Sequence, residues 1–147
     1  MVLMKALKWS GIILAVYVIF VVLFESIFLG MNQPSFEDSD GGGIPMLVIT
    51  TTDDRGESRD RMLARFETDG KLYVSAHHWT RGWYKEARKN PNVRIKIHGK
   101  VADYIAVPVE GEEFESVAAE HPLPLPARFL MGFPPPREIL RLDSRVK

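Results

Sequence analysis

The chain contains no cysteine among its 147 residues. That absence excludes disulfide bonds, a thiolate nucleophile and zinc or iron–sulfur centres held by cysteine. The chain also lacks an excess of either charge, because 19 lysines and arginines balance 19 aspartates and glutamates. A neutral chain has no global attraction to the phosphates of nucleic acid, so we expect no nucleic-acid partner. The length is typical of one domain.

Histidine is scarce as well, with four residues in the chain. His77 and His78 are adjacent, and neighbouring side chains on one strand or loop are poorly placed to ligate the same ion. His98 and His121 fall in different predicted elements. The sequence therefore predicts no metal site.

One long hydrophobic run is present near the amino terminus, at residues 9–31 ("WSGIILAVYVIFVVLFESIFLGM"), and only Glu25 interrupts it. About 20 helical residues cross a hydrocarbon layer roughly 30 Å thick. We predict that residues 1–31 are an uncleaved, single-pass anchor in the cell membrane. A cleaved signal peptide would have a shorter apolar region and a small-residue cleavage site, and a buried core helix would show more of a polar face.

The orientation of this anchor stays open. Lys5 and Lys8 precede the run and acidic residues follow it, which favours an amino terminus inside the cell and a soluble domain outside. Basic residues a short way beyond the run weaken that asymmetry; they include Arg55, Arg59 and Arg61. The sequence thus predicts membrane attachment without fixing the side on which the domain lies.

Residues 32–43 ("NQPSFEDSDGGG") are polar, acidic and rich in glycine, which is typical of a flexible linker. Beyond it, six segments carry strand patterns of β-prone or alternating residues. They are residues 44–52, 61–67, 71–76, 93–97, 100–109 and 137–142. Asp69-Gly70 is a strong hairpin signal between the second and third segments, and His98-Gly99 indicates a tight turn between the fourth and fifth.

Two helices are predicted between these strands. Residues 80–89 place Trp83, Tyr84 and Ala87 on neighbouring turns, and Pro91 prevents the helix from continuing. Residues 110–120 form an amphipathic pattern with acidic residues in the first turn, which suits the helix dipole. The order of elements predicts an α+β, mainly β domain over residues 44–147. We expect a split β-barrel around a cleft, in which the strand after Pro91 joins the sheet that carries residues 44–52.

Three segments, "GIPMLVITTT", "GWYKEARKNPNVRI" and "REILRL", resemble in order and spacing the deazaflavin-dependent nitroreductase family. That family is a branch of the split β-barrel flavin-binding proteins, which include the pyridoxamine-phosphate oxidases. Its pattern has a proline before an apolar strand ending in threonines, a turn with basic residues and glycine, and a Trp-Tyr pair opening a helix that ends in Asn-Pro. The likeness covers about residues 44–142. It implies that the cofactor is coenzyme F420 (an 8-hydroxy-5-deazaflavin) or FMN.

The turn after the threonines departs from the family pattern. It reads "DDRGESR", whereas the family turn usually reads Gly, basic residues, Ser, Gly. Asp53 and Asp54 put two carboxylates where the resemblance implies a phosphate-bearing tail. This departure keeps FMN beside F420 as the implied cofactor. Residues 121–136 are also richer in proline than the family's substrate-covering region.

The resemblance implies that the cofactor carries the hydride chemistry while the protein binds and orients it. Phosphate contacts are then expected from the glycine turn and its arginines, namely Arg55, Gly56, Arg59 and Arg61. Contacts along the ring and its side chain are expected from strand ends, namely Thr50, Thr51, Thr52, Ser75, Ala76, His77 and His78. The alternative is a solvated hairpin tip with mixed charges, and threonines that simply favour strands.

An apolar wall for the ring is expected from Trp83 and Tyr84, with Trp79 at the mouth, although Trp83 equally suits core packing. Arg81 at the helix start would serve the acidic tail of the cofactor. If "PARFLMGF" folds over the cleft, an apolar substrate pocket would be shaped by Phe129, Met131 and Phe133.

Taken together, these features predict a membrane-anchored oxidoreductase. It would transfer a hydride from reduced F420 or FMN to a small lipophilic acceptor such as a quinone or a nitro compound. The alternatives are a non-catalytic, membrane-tethered module that binds a cofactor or a lipid, and a purely structural anchored domain. A homodimer is expected by analogy with other split barrels.

Overall fold

The computed structural model describes residues 1–32, 45–77, 79 and 81–145. The chain divides into two compact units. One consists of Met1–Asn32 and Leu123–Phe133, and the other of Gln33–Pro122 and Pro134–Lys147. Most of the predicted linker, residues 33–43, lies outside the described residues, as do His78 and Thr80.

The first unit begins with α1 (Val2–Asn32). Within it, Met4–Ile27 is long and apolar enough to cross a membrane, and only 6% of its most apolar window is buried inside the protein. Signal sequences and core helices meet the same criterion of length and composition.

The second unit is a closed barrel of six antiparallel strands. They are β1 (Met46–Thr52), β2 (Ser58–Thr68), β3 (Lys71–Ala76), β4 (Asn92–Ile97), β5 (Lys100–Pro108) and β6 (Glu138–Ser144), in the spatial order β1-β2-β3-β6-β5-β4. The predicted mainly β barrel is therefore confirmed. The strand after Pro91 does join the sheet of β1, with Ile49 opposite Ile95.

Two tight turns fix the register of neighbouring strands. Asp69 and Gly70 have φ angles of 52° and 71°, and His98 and Gly99 have φ angles of 47° and 76°. Positive φ at both central residues is characteristic of the type I′ hairpin turn, which is why Asn-Gly and Asp-Gly are preferred there. Both turns lie where the sequence predicts them.

The barrel core follows the two-residue period of the strands. In β1, Leu47, Ile49 and Thr51 are buried, while the residues between them are only half-buried. The helix α2 (Gly82–Lys89) adds three buried residues to this core: Trp83, Tyr84 and Ala87. It begins two residues later than predicted, with Arg81 in the N-cap position, and ends before extended Asn90 as Pro91 requires.

A second, smaller core lies on the outer face of the barrel. The helix α3 (Gly111–Glu120) packs there through Val117 against Tyr73 and Ile139. The hydroxyl of Tyr73 donates a 2.8 Å hydrogen bond to Glu113, whose carboxylate also accepts hydrogen bonds from Arg141. These polar contacts attach the first turn of α3 to β3 and β6.

The first unit also contains α4 (Leu125–Leu130), a helix that the predicted element order lacks. Its sequence is proline-rich, but Pro126 stands in the first turn, where a missing N–H costs no helical hydrogen bond. The hydroxyl of Tyr17 on α1 donates a 2.7 Å hydrogen bond to the carbonyl of Phe129, and their rings lie 5.1 Å apart. This segment therefore packs against α1.

Candidate functional site

The barrel opens between β2 and β3. Pairing between these strands runs from Arg65 opposite Val74 to Thr68 opposite Lys71. In the part of the chain that the structure describes, residues 58–64 of β2 pair only with β1, and Ser75 and Ala76 pair only with β6. We call this opening the split: residues 58–64 form one side, and residues 75–77 form the other.

The turn that precedes β2 is organised by Asp53. Its Oδ1 accepts hydrogen bonds from the backbone N–H groups of Arg55 (2.9 Å) and Glu57 (3.0 Å). Gly56 supplies the positive φ of 81° that the turn requires. The hydrogen bond from the Glu57 N–H outweighs the effect of burial and, with help from Arg55 and Arg59, holds the pKa of Asp53 below its usual value. Asp53, which departs from the family pattern, thus stabilises the turn by accepting hydrogen bonds from its backbone.

A carboxylate on α2 links three elements beside this turn. Oε2 of Glu86 accepts a 2.6 Å hydrogen bond from the hydroxyl of Thr51 on β1, and Oε1 lies 3.6 Å from the guanidinium of Arg59 on β2. Thr51 and Arg59 are themselves opposite each other in the register. Glu86 is not among the site residues predicted from the sequence. The only signal was its position three residues after Trp83, which places it near the buried face of the helix.

The three candidate arginines differ in how they are paired. Arg59 lies 3.5 Å from both Asp53 and Glu57, in addition to its contact with Glu86. Arg55 and Arg61 are exposed, and among the described residues neither guanidinium lies within 4.0 Å of a carboxylate oxygen, although Arg55 is close enough to Asp53 to lower its pKa. Because residues two apart on a strand share a face, Arg59 and Arg61 project from the same side of β2. The structure therefore brings two guanidinium groups together on one side of the split.

The threonines at the end of β1 are divided between the two faces, as strand alternation predicts. Thr51 faces the interior, whereas Thr50 and Thr52 lie on the outer face. Thr50 donates a 2.6 Å hydrogen bond to Asp60, and the hydroxyl of Thr52 lies 2.9 Å from that of Ser58. The structure does not bring Thr50 and Thr52 to the same face as Thr51.

The end of β3 forms the second side of the split. Ala76 is buried in the barrel core, and Ser75 is buried on the other face of the strand. Nδ1 of the half-buried His77 lies 3.4 Å from the hydroxyl of Ser75. These three residues are adjacent to the place where β2 leaves β3, whereas the neighbouring candidate His78 lies outside the described residues.

The aromatic candidates behave differently from one another. Trp83 and Tyr84 are buried in the core, with their rings 5.9 Å apart in an edge-to-face arrangement. This is the packing role that the sequence left open for Trp83. Burial, and next the nearby charge of Glu138, raise the pKa of Tyr84. Trp79 is 57% exposed.

The remaining candidates have other partners. Arg81 donates hydrogen bonds to Glu138 (3.1 Å) and to the carbonyl of Pro135 (2.8 Å). This side chain thus joins the start of α2 to β6. The three residues predicted to shape a substrate pocket belong to the unit that contains α1: Phe129 and Phe133 are exposed, and Met131 is buried.

The donor groups around the split fit an anionic cofactor. Asp53 already accepts the N–H groups of Arg55 and Glu57, so these two backbone donors serve the turn itself. The guanidinium groups of Arg55 and Arg61 are available for a phosphate, and the planar fork of arginine suits phosphate oxygens. Binding of the phosphate through side chains therefore agrees with the structure better than binding through the backbone of the turn.

Comparison with solved structures defines the class of this barrel. HutZ, the haem storage protein from Vibrio cholerae, is 15% identical with a TM-score of 0.50, and the match covers 70% of this chain and 83% of that one. A FAD-binding protein from Mesorhizobium loti is 15% identical with a TM-score of 0.51, covering 70% and 81%. At this identity the likeness shows the fold alone: the chain has a split β-barrel of the type found in those proteins.

Two further structures are more similar in sequence. An F420-H2 dependent reductase, FDR-A, is 26% identical with a TM-score of 0.53, and the match covers 67% of this chain and 94% of that one. A protein described as a domain-swapped dimer is 25% identical with a TM-score of 0.54, covering 67% and 80%. Comparison with curated proteins gives no significant match.

Residues 36–123 match the family described as F420H(2)-dependent quinone reductase. This match spans more than half of the 147 residues, and the chain belongs to that family. The resemblance to deazaflavin-dependent reductases is thereby confirmed. The family description names F420H2, so the prediction of coenzyme F420 is confirmed at the level of the family.

Proposed function

We propose that this protein is a membrane-anchored reductase that transfers a hydride from F420H2 to a small lipophilic acceptor, such as a quinone or a nitro compound. The family match over residues 36–123 carries the proposal, because that family is described as F420H2-dependent and quinone-reducing. The exposed guanidinium groups of Arg55 and Arg61 beside the split support it, because an anionic cofactor needs cationic donors there.

The residues around the split receive the following roles. Arg55 and Arg61 would bind the phosphate and the acidic tail of F420. Arg59, whose charge is offset by Asp53, Glu57 and Glu86, would hold the turn and α2 in place beside them. Ser75, Ala76 and His77 would face the ring side of the cofactor at the end of β3. Thr50 and Thr52 lie on the outer face of β1, away from the face that carries Arg59 and Arg61, so we assign them no contact with the ring. Gly56 would shape the turn that presents Arg55.

The bound cofactor would supply the hydride, and the protein would bind, orient and shield it. Trp83 and Tyr84 would not contact the cofactor; they would keep α2 packed on the barrel core. Glu86 would act in the same way, because it fixes α2 to β1 through Thr51. The anion that hydride transfer leaves on a quinone would take up a proton from water, so none of these residues has to supply one.

Membrane attachment through α1 is part of the proposal. The apolar stretch Met4–Ile27 is long enough for a span and is almost wholly exposed on the protein. We assign residues 1–31 to the anchor, 32–43 to a linker and 44–147 to the cofactor-binding part, within which Leu123–Phe133 groups with α1. The attachment would place the enzyme in the cell membrane, where lipophilic acceptors dissolve.

We further propose that the protein forms a homodimer. A relative with 25% identity is described as a domain-swapped dimer, which supports association of barrels of this kind. Light scattering of the detergent-solubilised chain across a range of concentrations measures the mass of the protein component directly. A strictly monomeric mass at the highest concentration would refute the dimer.

The reductase activity can be tested with the full chain purified in detergent. F420H2 is added with a quinone, and the return of oxidised F420 is followed by its absorbance. We expect oxidation of F420H2 that depends on both protein and quinone and that is faster with quinones carrying an apolar tail. FMN in its reduced form serves as the comparison cofactor, since the sequence leaves it as an alternative.

The results separate the competing functions. Tight binding of F420 without any electron transfer to quinones or nitro compounds would favour the non-catalytic binding module. Turnover with reduced FMN and none with F420H2 would show that FMN, and not F420, is the cofactor. Binding of neither would contradict the enzyme proposal altogether.

A further inference from the structure

Exposed apolar side chains are concentrated in the first unit. Among the described residues, the large hydrophobic side chains that are exposed all belong to Met1–Asn32 or Leu123–Phe133, except for Trp79 and Val101. A soluble surface normally scatters such residues singly. The concentration therefore indicates that this unit as a whole, and not only α1, faces an apolar environment.

The exposed residues of Leu123–Phe133 are large. Leu125 is 68% exposed, Phe129 is 48% exposed and Phe133 is 47% exposed. Meanwhile the Phe129 carbonyl accepts a hydrogen bond from the hydroxyl of Tyr17 on α1. The segment thus contacts α1 through the backbone and the ring of Phe129, while Leu125, Phe133 and about half of Phe129 stay exposed.

The position of Tyr17 along α1 sets the depth of this contact. At 1.5 Å of rise per residue, Tyr17 lies about 20 Å from the Met4 end and about 15 Å from the Ile27 end of the apolar stretch. Its hydrogen bond therefore holds the Phe129 backbone beside the middle part of that stretch. If α1 is immersed in lipid, the segment attached to it is immersed as well.

The backbone of the segment suits a low-dielectric medium, where each unpaired N–H is costly. Pro124 and Pro126 have no N–H. Most of the following groups are bonded within the segment: the N–H of Arg128 to Pro124, that of Met131 to Ala127, that of Gly132 to Phe129 and that of Phe133 to Arg128, at 2.8 to 3.1 Å. Backbone polarity is thus no obstacle to immersion.

A single charged side chain occurs in Leu123–Phe133, the exposed Arg128. A guanidinium at this depth is accommodated by extension of the side chain towards the headgroups together with local thinning of the bilayer. An anionic headgroup would be the natural partner of that guanidinium. Charge and apolar area in the segment therefore point to the same ligand, a bilayer that contains anionic phospholipid.

We propose that Leu123–Phe133 is a second membrane-contacting element, a short re-entrant helix that packs on α1 and inserts Leu125, Phe129 and Phe133 into the lipid. The inference rests on the proposed anchoring by α1, because α1 sets the depth of α4. It adds to that anchoring a lipid contact made by a segment more than ninety residues further along the chain.

The absence of cysteine makes a direct test simple, because single-cysteine variants carry one label at a known position. Leu125→Cys reports on the segment, Ile13→Cys on α1, and Ser116→Cys on the exposed surface of α3. Each variant of the full chain is labelled with the polarity-sensitive dye NBD and reconstituted in vesicles of phosphatidylcholine and phosphatidylglycerol. Phe133→Cys is a second reporter on the segment in case Leu125→Cys does not fold.

We expect the labels at residues 13 and 125 to show blue-shifted emission and quenching by spin-labelled lipid, and the label at 116 to be quenched by aqueous iodide instead. A lipid-exposed label at 13 with a water-exposed label at 125 and at 133 would overturn this inference and leave the anchor intact. Iodide quenching at both 13 and 125 would overturn the anchor as well. Protection of residue 125 from both quenchers would mean that protein, such as a second copy of the chain, covers the segment, which also contradicts the inference.

Discussion

The hydroxyl of Thr51 on β1 donates a 2.6 Å hydrogen bond to the carboxylate of Glu86 on α2. The other carboxylate oxygen lies 3.6 Å from the guanidinium of Arg59. Through these two contacts the Glu86 side chain on α2 connects the helix to β1 and to the β2 side of the split. The geometry of the proposed cofactor site therefore depends on a carboxylate that itself need not touch the cofactor.

Replacing Thr51 by valine tests how much the hydrogen bond between Thr51 and Glu86 stabilises the fold. The hydroxyl is almost wholly buried, so Thr51→Val leaves the Glu86 carboxylate without its shortest hydrogen bond while preserving the volume. We expect a loss of about 1.5–3 kcal/mol in the free energy of unfolding, which is the range for hydrogen bonds to charged groups. Urea denaturation of the detergent-solubilised chain, followed by tryptophan fluorescence, measures it.

Thr50→Val is the matched control. Its hydroxyl also donates to a carboxylate, that of Asp60, but the pair is exposed on the outer face. We expect a change of no more than about 0.5 kcal/mol. If Thr50→Val and Thr51→Val lose the same free energy of unfolding, the hydrogen bond to Glu86 contributes no more stability than an exposed one.

Arg61 should contribute to cofactor affinity directly. It is exposed on the same face as Arg59 and has no recorded carboxylate partner in the described part of the chain, so its charge is available. We expect Arg61→Ala to weaken F420 binding about tenfold, the loss of roughly one charged hydrogen bond. The affinity is measured by fluorescence titration, and the loss should shrink at high salt.

Arg94→Ala controls for a general loss of positive charge. Arg94 lies on β4 opposite Thr50, on the outer face, 3.8 Å from Asp103. We expect F420 affinity to change less than twofold or so, because exposed charges at a distance are screened. If both alanine variants bind F420 like the parent chain, the split is not where the phosphate lies.

Asp53 gives the turn a pH dependence whose sign follows from its pKa. Because the folded-state pKa is lowered, chiefly by the hydrogen bond from the Glu57 N–H, the stability that ionised Asp53 contributes is present above its ordinary value of 3.8. That contribution is lost as the pH falls through the lowered value. In Asp53→Asn the amide oxygen can still accept both N–H bonds, so we expect the turn to persist without this acid sensitivity.

The comparison is made by urea denaturation between about pH 5 and pH 3. The parent chain should lose more stability than Asp53→Asn over that range, because the other carboxylates are common to both. Asp53→Ala removes both N–H bonds and should be less stable than either at neutral pH. Parallel pH profiles for the parent and the asparagine variant would contradict the role of the charge.

Much of the barrel could be predicted from local sequence. Asp69-Gly70 and His98-Gly99 fix two hairpins because few residue pairs tolerate positive φ at both positions. Pro91 ends α2 for steric reasons that act between neighbours in the chain. The α4 helix was missed because its prolines disfavour helix on average, and only the position of Pro126 in the first turn makes it acceptable.

The site was less predictable, because its contacts join distant residues. Thr51 and Glu86 are 35 residues apart, and nothing in either local pattern specifies that they meet. The sequence could not decide whether Trp83 packs in the core, since a Trp at a helix start suits both the core and a ring-binding wall. The sequence marks the two carboxylates of the turn as unusual for a phosphate site, but only the geometry shows that Asp53 accepts hydrogen bonds from the backbone of its own loop.

Tyr73 should give the fold an alkaline dependence. Burial, and then the hydrogen bond to Glu113, raise the pKa of Tyr73 from 10.0 to about 12. A raised folded-state pKa means that the associated stability is complete below pH 10.0 and is lost as the pH rises towards about 12. We expect Tyr73→Phe to cost about 1 kcal/mol near neutral pH and to reduce this alkaline loss.

Denaturation midpoints of the parent chain and Tyr73→Phe are compared from about pH 9 to pH 11. Tyr104→Phe is the control, because Tyr104 is a half-buried tyrosine on β5 with no hydrogen bond recorded for its hydroxyl in the described residues. It should leave the alkaline profile of the parent unchanged. A Tyr73→Phe variant with the same pH profile as the parent would show that Tyr73 does not titrate as its surroundings require.

Hydrogen–deuterium exchange of the full chain, with and without excess F420, examines the proposed site most directly. If the cofactor occupies the split, amides of residues 58–61 on β2 and of residues 75–77 at the end of β3 should both exchange more slowly when F420 is present. The hairpin at His98-Gly99, away from the split in the strand order, should be unchanged. Unaltered exchange on both sides of the split under saturating F420 would contradict the account.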